Sequence, residues 1–115
     1  MITIEDFKKV EIRAGKIIVA EKIAETDKLL RLMVDLGEKD ELGNEKPRQI
    51  VSGIALHFPD PAVLIGKICM FVANLEPRTI KGIESNGMLF AISTPEGGFS
   101  LLEPNATIPP GAKAV

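Results

Sequence analysis

The chain has 115 residues, of which 45% are hydrophobic and 26% are charged, and its formal net charge is −2. This size and composition predict one folded domain spanning residues 1–115 and exclude a disordered chain. The slightly acidic balance excludes a protein that attracts nucleic acid over its whole surface, so a polyanionic partner would have to meet a local cationic patch.

The N-terminal part of the chain predicts a short helix and then a long strand. Thr3 followed by Asp6 resembles a capping box, which predicts a helix over Thr3–Lys8. Val10–Ile23 is rich in isoleucine and valine and predicts the first strand. Gly15 within it indicates a bulge or a sharp bend, as barrels use to turn corners.

The clearest alternation of apolar and polar residues lies in Leu29–Leu36, the predicted second strand. Every second side chain is apolar, which gives this strand one face for a core and one mixed face that carries Arg31. Gly37–Pro47 is polar and contains glycines, which predicts a solvated hairpin loop. Arg48–Ile54 follows as the third predicted strand.

The second half of the sequence begins with a helical interruption. An early proline and a terminal glycine predict a short helical piece from Pro59 to Gly66. Lys67–Asn74 predicts a buried fourth strand and Met88–Ser93 a fifth. The tail from Pro95 is rich in proline and predicts extended chain and turns.

This order of elements predicts the fold class. Five short strands, a bend in the first and a helical piece between the third and fourth predict an all-β fold with short helices. The prediction is a five-stranded Greek-key barrel, the OB-fold, which commonly binds oligonucleotides. An open sandwich is the alternative that the pattern alone leaves.

The segment Asn74–Met88, N-L-E-P-R-T-I-K-G-I-E-S-N-G-M, is the most informative stretch for function. It places the cations Arg78 and Lys81, two glycines and a small polar cluster between two predicted strands. Such a loop offers cations and backbone amides to a partner, and it contains no groups that would break a covalent bond. The segment therefore predicts a binding module.

The other reactive side chains predict no catalytic site, no metal site and no cofactor. Cys69 is the only cysteine, so it forms no internal disulfide, and its apolar strand indicates an inert core thiol. His57 has no nucleophile or metal ligands in a recognisable pattern, which predicts a structural role. The N-terminus lacks the regions of a signal peptide, and no apolar run reaches the roughly 18 residues of a membrane helix. The sequence predicts a cytoplasmic protein with no membrane segment.

Several blocks of the sequence resemble one family, in order and over nearly the whole chain. They are the segment Asn74–Met88 and four others: D-F-K-K-V-E-I-R-A-G-K-I at Asp6–Ile17, D-K-L-L-R-L-M-V-D-L-G at Asp27–Gly37, R-Q-I-V-S-G-I-A at Arg48–Ala55, and P-P-G-A-K at Pro109–Lys113. The family is the tRNA-binding domain found free-standing in bacteria and archaea and appended to methionyl-tRNA synthetase. The resemblance implies an OB-fold that recognises the outer corner of tRNA by shape. It also implies a homodimer whose interface uses the terminal segments.

Composition also favours folded RNA as the partner. The chain has no tryptophan, no tyrosine and five phenylalanines, so it has few of the exposed aromatics on which single-stranded bases stack. Contacts to phosphates, ribose hydroxyls and overall shape suit a folded RNA.

Four cations are predicted to contact the RNA. Lys28 and Arg31 lie beside and within the second strand, where Arg31 projects from the polar side. Arg78 and Lys81, three residues apart, are placed to straddle neighbouring phosphates. For each pair the alternative is a set of solvated cations without a partner.

Five further residues complete the predicted site. The amide of Asn74 meets a ribose or a base edge, or else hydrogen-bonds its own backbone. We call the segment Ser85–Met88 the ledge. In it Ser85 offers a hydroxyl, Asn86 belongs to the same polar cluster, Gly87 permits close approach of a backbone, and Met88 offers a polarizable apolar surface. The alternative is a tight turn with Met88 in the core.

The sequence as a whole predicts a non-catalytic tRNA-binding module that acts as a homodimer. It acts either free-standing or with the methionyl-tRNA synthetase catalytic chain. The alternative is an export-related, peptide-binding chaperone, a smaller branch of the same fold family.

Overall fold

The computed structural model describes residues 1–115. Most of its regular elements are strands. One short α-helix precedes the first strand, and two 3₁₀ turns lie between the third and fourth strands. The elements are α1 Ile4–Phe7, β1 Ile12–Lys22, β2 Leu30–Asp35, β3 Arg48–Ser52, the 3₁₀ turns Ala55–His57 and Pro61–Leu64, β4 Ile68–Val72, β5 Arg78–Ile80, β6 Ile83–Ser85, β7 Met88–Leu89, β8 Ala91–Ser93 and β9 Phe99–Leu101. No helix is long and apolar enough to span a membrane.

Five antiparallel strands in the order β3-β2-β1-β4-β7 form the main sheet. The sheet curls until its two edges, β3 and β7, meet. Their contact is a hydrogen bond in which the Asn86 N–H, just before β7, donates to the Gln49 carbonyl of β3 at 2.8 Å. The result is the predicted all-β, five-stranded barrel of OB type, and the alternative of an open sandwich is wrong.

The alternating apolar side chains of β2 form the centre of the core, as the sequence predicts. Leu30, Leu32, Val34 and Leu36 are all fully buried, while Arg31 and Asp35 on the opposite face are half-buried. Strands β1, β3 and β4 and the second 3₁₀ turn add further fully buried side chains: Ile17, Ile50, Leu64, Cys69 and Phe71.

The helix and turn predictions in the first two thirds of the chain are confirmed. Thr3 and Asp6 form a reciprocal capping box at the start of α1. Asp60 caps the second 3₁₀ turn, Pro61 occupies its first position, and Gly66 after it adopts φ +91°. Helix α1 itself has no buried residue, so nothing in the chain covers it.

Gly15 is not the site of the bulge in β1, which corrects the sequence prediction. The register shifts instead between Ile17 and Val19. Gly15 pairs regularly with Cys69 in β4, and a Cβ atom there would lie 2.6 Å from Val34 Cγ1. Glycine is needed at this position because the barrel interior has no room for a side chain.

The fifth predicted strand, Met88–Ser93, is divided at Phe90. Strand β7 joins the barrel, whereas β8 forms a separate hairpin with β9 in the proline-rich tail. The last residues then lie along the start of β1, where the Gly111 N–H donates to the Ala14 carbonyl at 2.7 Å. The tail, predicted as extended chain and turns, thus contains a strand and completes the sheet beside β1.

Candidate nucleic-acid interface

The segment Asn74–Met88 contains a hairpin that the sequence did not predict. Strand β5 pairs with β6, and the turn between them has positive φ at both central residues, +51° at Lys81 and +77° at Gly82. These values are those of a type I′ turn, which matches the twist of a two-residue hairpin. Because Lys-Gly is a weaker indicator of this turn than Asn-Gly, the sequence alone favours a loop.

The hairpin displays two cations that have no carboxylate partner. Lys81 lies exposed at its tip, and Arg78 lies exposed at its base, opposite Ser85. The five ion pairs of the structure join other residues, although Glu76 and Glu84 belong to the same segment. Both cations are therefore free to neutralise the charges of a ligand.

The buried side chain of Ser85 joins β6 to the edge strand β3 and so helps to close the barrel. Ser85 is 4% exposed, and its Oγ accepts a hydrogen bond from the Val51 N–H at 2.9 Å. The hydroxyl then donates to the Gly87 carbonyl at 3.3 Å. It thereby satisfies a backbone group of β3 that has no strand partner at this edge.

Backbone contacts hold the rest of the ledge against the barrel. Gly87 has φ +137°, and a Cβ atom on it would lie 3.0 Å from Ile50 Cδ1 and 3.2 Å from the Val72 carbonyl oxygen. The close approach expected at Gly87 is thus made by the chain's own strand β4. The side chain of Met88 lies at the surface with 45% exposed, whereas the alternative interpretation placed it in the core.

Four of the predicted site residues meet around one small cavity. Its volume is about 90 Å³, and it is lined by Arg78, Ser85, Gly87 and Met88 together with Val51, Leu75, Glu76 and Ile80. The unpaired Arg78 and the exposed Met88 thus both line a single concavity. Such an arrangement combines charge with an apolar surface.

Arg48, which the sequence did not single out, connects the ledge to the 37–47 loop. Its guanidinium donates to both carboxylate oxygens of Glu38, at 2.8 and 2.7 Å, to the Ala73 carbonyl, and to the Asn86 carbonyl at 3.5 Å. The hydrogen bonds and charge of Arg48 hold the pKa of Glu38 below its usual value. The indication in the sequence was a carboxylate at the start of the predicted hairpin loop and a cation directly after its end.

A polar groove of about 710 Å³ runs beside this ion pair. Its lining residues are Glu38, Lys46, Pro47, Arg48, Gln49, Ala73, Asn74, Leu75, Glu76, Glu84 and Asn86. The side-chain amide of Asn86 makes no hydrogen bond within the chain, so it is available to a ligand in this groove.

The model of the family described as "Putative tRNA binding domain" matches residues 12–113. The chain belongs to the tRNA-binding domain family. The methionine–tRNA ligase of Azoarcus sp. (strain BH72) is 47% identical over 107 residues, which cover 90% of this chain and 15% of that protein. The chain therefore spans about a seventh of the ligase it matches.

Two solved structures are similar to this chain over its whole length. The MetRS related protein from Pyrococcus horikoshii has a TM-score of 0.87 and 36% identity, covering 100% of this chain and 98% of that chain. The chaperone CsaA of Bacillus anthracis has a TM-score of 0.82 and 30% identity, covering 100% of this chain and 99% of that one.

The structure places the remaining predicted contacts in different surroundings. Lys28 is exposed and has no ion-pair partner. Arg31 lies on the outer face of the barrel but is already paired with Glu21 at 2.9 Å and donates to Gln49 at 2.6 Å. Arg31 therefore has less freedom to bind a phosphate than the other three cations.

The side-chain amide of Asn74 makes two hydrogen bonds within the chain. Its Oδ1 accepts from the Glu11 N–H at 2.8 Å, and its Nδ2 donates to the Lys9 carbonyl at 2.6 Å. These bonds fasten the segment before β1 to the end of β4. The partners are backbone groups 63 and 65 residues away, whereas the alternative interpretation had Asn74 bond its own backbone.

The only thiol lies in the barrel interior. Burial raises the pKa of Cys69 to about 11, so the thiol is neutral at physiological pH and is a poor nucleophile. This agrees with the prediction of an inert core residue.

Proposed function

We propose that residues 1–115 act as one non-catalytic module that binds tRNA at its outer corner by recognising shape. The observation that carries the proposal is the β5–β6 hairpin with its free cations Arg78 and Lys81. The exposed Met88, just after the hairpin, lines one small cavity together with Arg78. Membership of the tRNA-binding domain family supports tRNA as the ligand. An RNA backbone supplies the regularly spaced phosphates that two such cations would neutralise.

The nine predicted residues then divide into two groups: five that are free to contact a ligand and four that position the binding surface. Lys28, Arg78 and Lys81 supply charge, and Asn86 and Met88 supply fit, because these five side chains are free to meet a ligand. Arg31 and Asn74 are already engaged within the chain, and Ser85 and Gly87 hold the ledge against the barrel. We assign these four chiefly to positioning the binding surface.

A gel shift with unfractionated tRNA at several salt concentrations tests this function. We expect Arg78→Ala to lower the affinity and to reduce the slope of log affinity against log salt by about one unit, since one phosphate contact is lost. Lys39→Ala in the 37–47 loop is the matched control and should change neither. Wild-type binding that is independent of salt, or that favours unstructured RNA over tRNA, would overturn the proposal.

We propose the methionyl-tRNA synthetase catalytic chain as the protein partner, in the cytoplasm. The similarity to a methionine–tRNA ligase supports this, and so does the similarity to a free-standing MetRS related protein. A module of this kind raises the affinity of the synthetase for tRNA and leaves the chemistry to the catalytic chain. Pull-down of that chain by this protein, and a lower KM for tRNA in its presence, would support the partnership.

We also propose that the module is a homodimer formed through its terminal segments. Helix α1 exposes Ile4 and Phe7, at 60% and 49%, and Ile2 before it is 69% exposed. A second copy would cover this apolar surface and double the number of RNA contacts, which raises avidity if both sites engage one tRNA. Sedimentation should give twice the 12.4 kDa of one chain; a monomer at micromolar concentration would contradict the dimer.

A peptide-binding chaperone is the second candidate, which the similarity to CsaA favours. A mostly apolar cavity of about 400 Å³ beside the tail also favours it, with Met70, Leu101, Leu102, Pro104 and Ile108 among its lining residues. Tight binding of an unfolded polypeptide, without binding of tRNA, would establish this function in place of the first.

A further inference from the structure

His57 forms an aromatic stack on the surface of the barrel that composition did not indicate. Its imidazole lies parallel to the Phe99 ring, with centroids 3.9 Å apart and an interplanar angle of 7°. His57 is exposed, and its ring nitrogens make no hydrogen bond within the chain. One face of the imidazole is thus covered by Phe99, and the other has no aromatic neighbour.

The backbone and the core hold this ring pair in place. The His57 N–H donates to the Ile54 carbonyl at 3.0 Å, at the end of the first 3₁₀ turn. Phe58 meets Phe99 edge-on at 5.9 Å and 77°, and both phenylalanines pack against the core. A ligand that stacks on His57 would therefore meet a surface that is already ordered, which lowers the entropic cost of binding.

The stack lies beside the loop between β1 and β2, one of the loops that OB-folds use to bind oligonucleotides. The Ala55 N–H donates to the Lys28 carbonyl at 3.0 Å, which ties the 3₁₀ turn to this loop. A cavity of about 440 Å³ lies between them, lined by Lys22, Thr26, Asp27, Ala55, Leu56 and Pro59. Ala55 and Leu56 directly precede His57, and Pro59 lies two residues after it, so the same connection carries both the cavity lining and the stacked imidazole.

We propose that His57, stacked on Phe99, is a subsite for an unpaired base of the bound tRNA, with the cavity beside it taking the attached sugar and phosphate. This inference rests on the proposed tRNA-binding function and adds a second contact region to the β5–β6 hairpin. The cavity lining holds one cation, Lys22, and one carboxylate, Asp27. Stacking, rather than net charge, therefore supplies the affinity of this subsite.

Stacking and charge contacts respond differently to substitution and salt. His57→Ala should weaken tRNA binding by about 5- to 150-fold, the range that corresponds to removing a side chain stacked on a base. The salt slope should stay unchanged, because no phosphate contact is lost. His57→Phe keeps an aromatic face and should bind within about twofold of wild type. The control is Val63→Ala, an exposed site on the same connection between β3 and β4, which should have no effect.

Because His57 is the only histidine in the chain, its imidazole C–H resonances in an NMR spectrum are unambiguous. We expect them to move upfield when tRNA is added, from the ring current of the stacked base. An unfolded polypeptide should leave them in place.

Three results would overturn the subsite. One is wild-type tRNA affinity for His57→Ala; another is a loss with His57→Phe as large as with His57→Ala, which would indicate an imidazole hydrogen bond or charge. The third is an NMR shift caused by polypeptide and not by tRNA. If wild type binds tRNA and Arg78→Ala weakens it while His57→Ala does not, only the subsite fails. If wild type does not bind tRNA, the proposed function itself fails.

Discussion

Replacing Ser85 by alanine tests whether this serine closes the barrel. The substitution removes the hydroxyl that accepts from the Val51 N–H at 2.9 Å and donates to the Gly87 carbonyl at 3.3 Å. Val51 is only 7% exposed, so water does not readily replace the lost acceptor. A buried donor left without a partner costs about 1–3 kcal/mol.

That cost translates into a measurable fall in melting temperature. The entropy of unfolding is about 2.1 cal/mol/K per residue, or roughly 0.24 kcal/mol/K for the 115 residues of this chain. Each kcal/mol therefore lowers the Tm by about 4 °C, and Ser85→Ala should lower it by about 4–12 °C. Urea titration should show a lower midpoint with an unchanged m value, since the folded state keeps its compactness.

Ser100→Ala is the matched control for this experiment. Ser100 is exposed and donates to the carbonyl of its neighbour Leu101, so its loss should change the free energy of unfolding by less than about 0.5 kcal/mol. The affinity of Ser85→Ala for tRNA should also fall, with an unchanged salt slope, because the ledge moves while Arg78 and Lys81 remain. Equal stability of Ser85→Ala and Ser100→Ala would refute the closure of the barrel by this hydroxyl.

Two further changes test the packing of β1 and the ion pair beside the ledge. In Gly15→Ala the new Cβ would meet side-chain carbons of β2 and β4 and of Leu36 after β2 at 2.6–2.8 Å. This crowding should destabilise by about 1–3 kcal/mol in a urea titration, whereas Gly53→Ala has open space and should be neutral. The lowered pKa of Glu38 means that its pair with Arg48 stabilises the fold above pH 4.5 and is lost as pH falls through the folded-state pKa. Glu38→Gln should therefore be less stable than wild type at pH 7, and the difference should narrow as the pH is lowered below 4.5. A difference that stays constant throughout an acid titration would mean that the carboxylate charge is not what stabilises the loop.

Local patterns were enough to predict most of the barrel. The alternation of Leu30, Leu32, Val34 and Leu36 identifies a half-buried strand from neighbouring residues alone, and the Thr3–Asp6 capping box does the same for α1. The division of the strand at Phe90 and the β5–β6 hairpin were missed. The division at Phe90 depends on which other strand each half pairs with, and no nearby residue indicates that. The β5–β6 hairpin is local, but its Lys-Gly turn is a weak indicator in the sequence.

The candidate site shows the same limit. The sequence by itself determined the family, through a resemblance of several ordered blocks along nearly the whole chain, and the barrel, through residue types at short spacing. It also predicted the stretch that carries Arg78, Lys81 and the ledge. Only the tertiary structure decided that Ser85 faces inward to Val51, that Arg48 joins Glu38 to the ledge, and that His57 stacks on Phe99. The partners in these contacts are between 10 and 42 residues apart in the chain. The folded barrel brings these partners together, and their spacing along the sequence does not indicate which residues will meet in space.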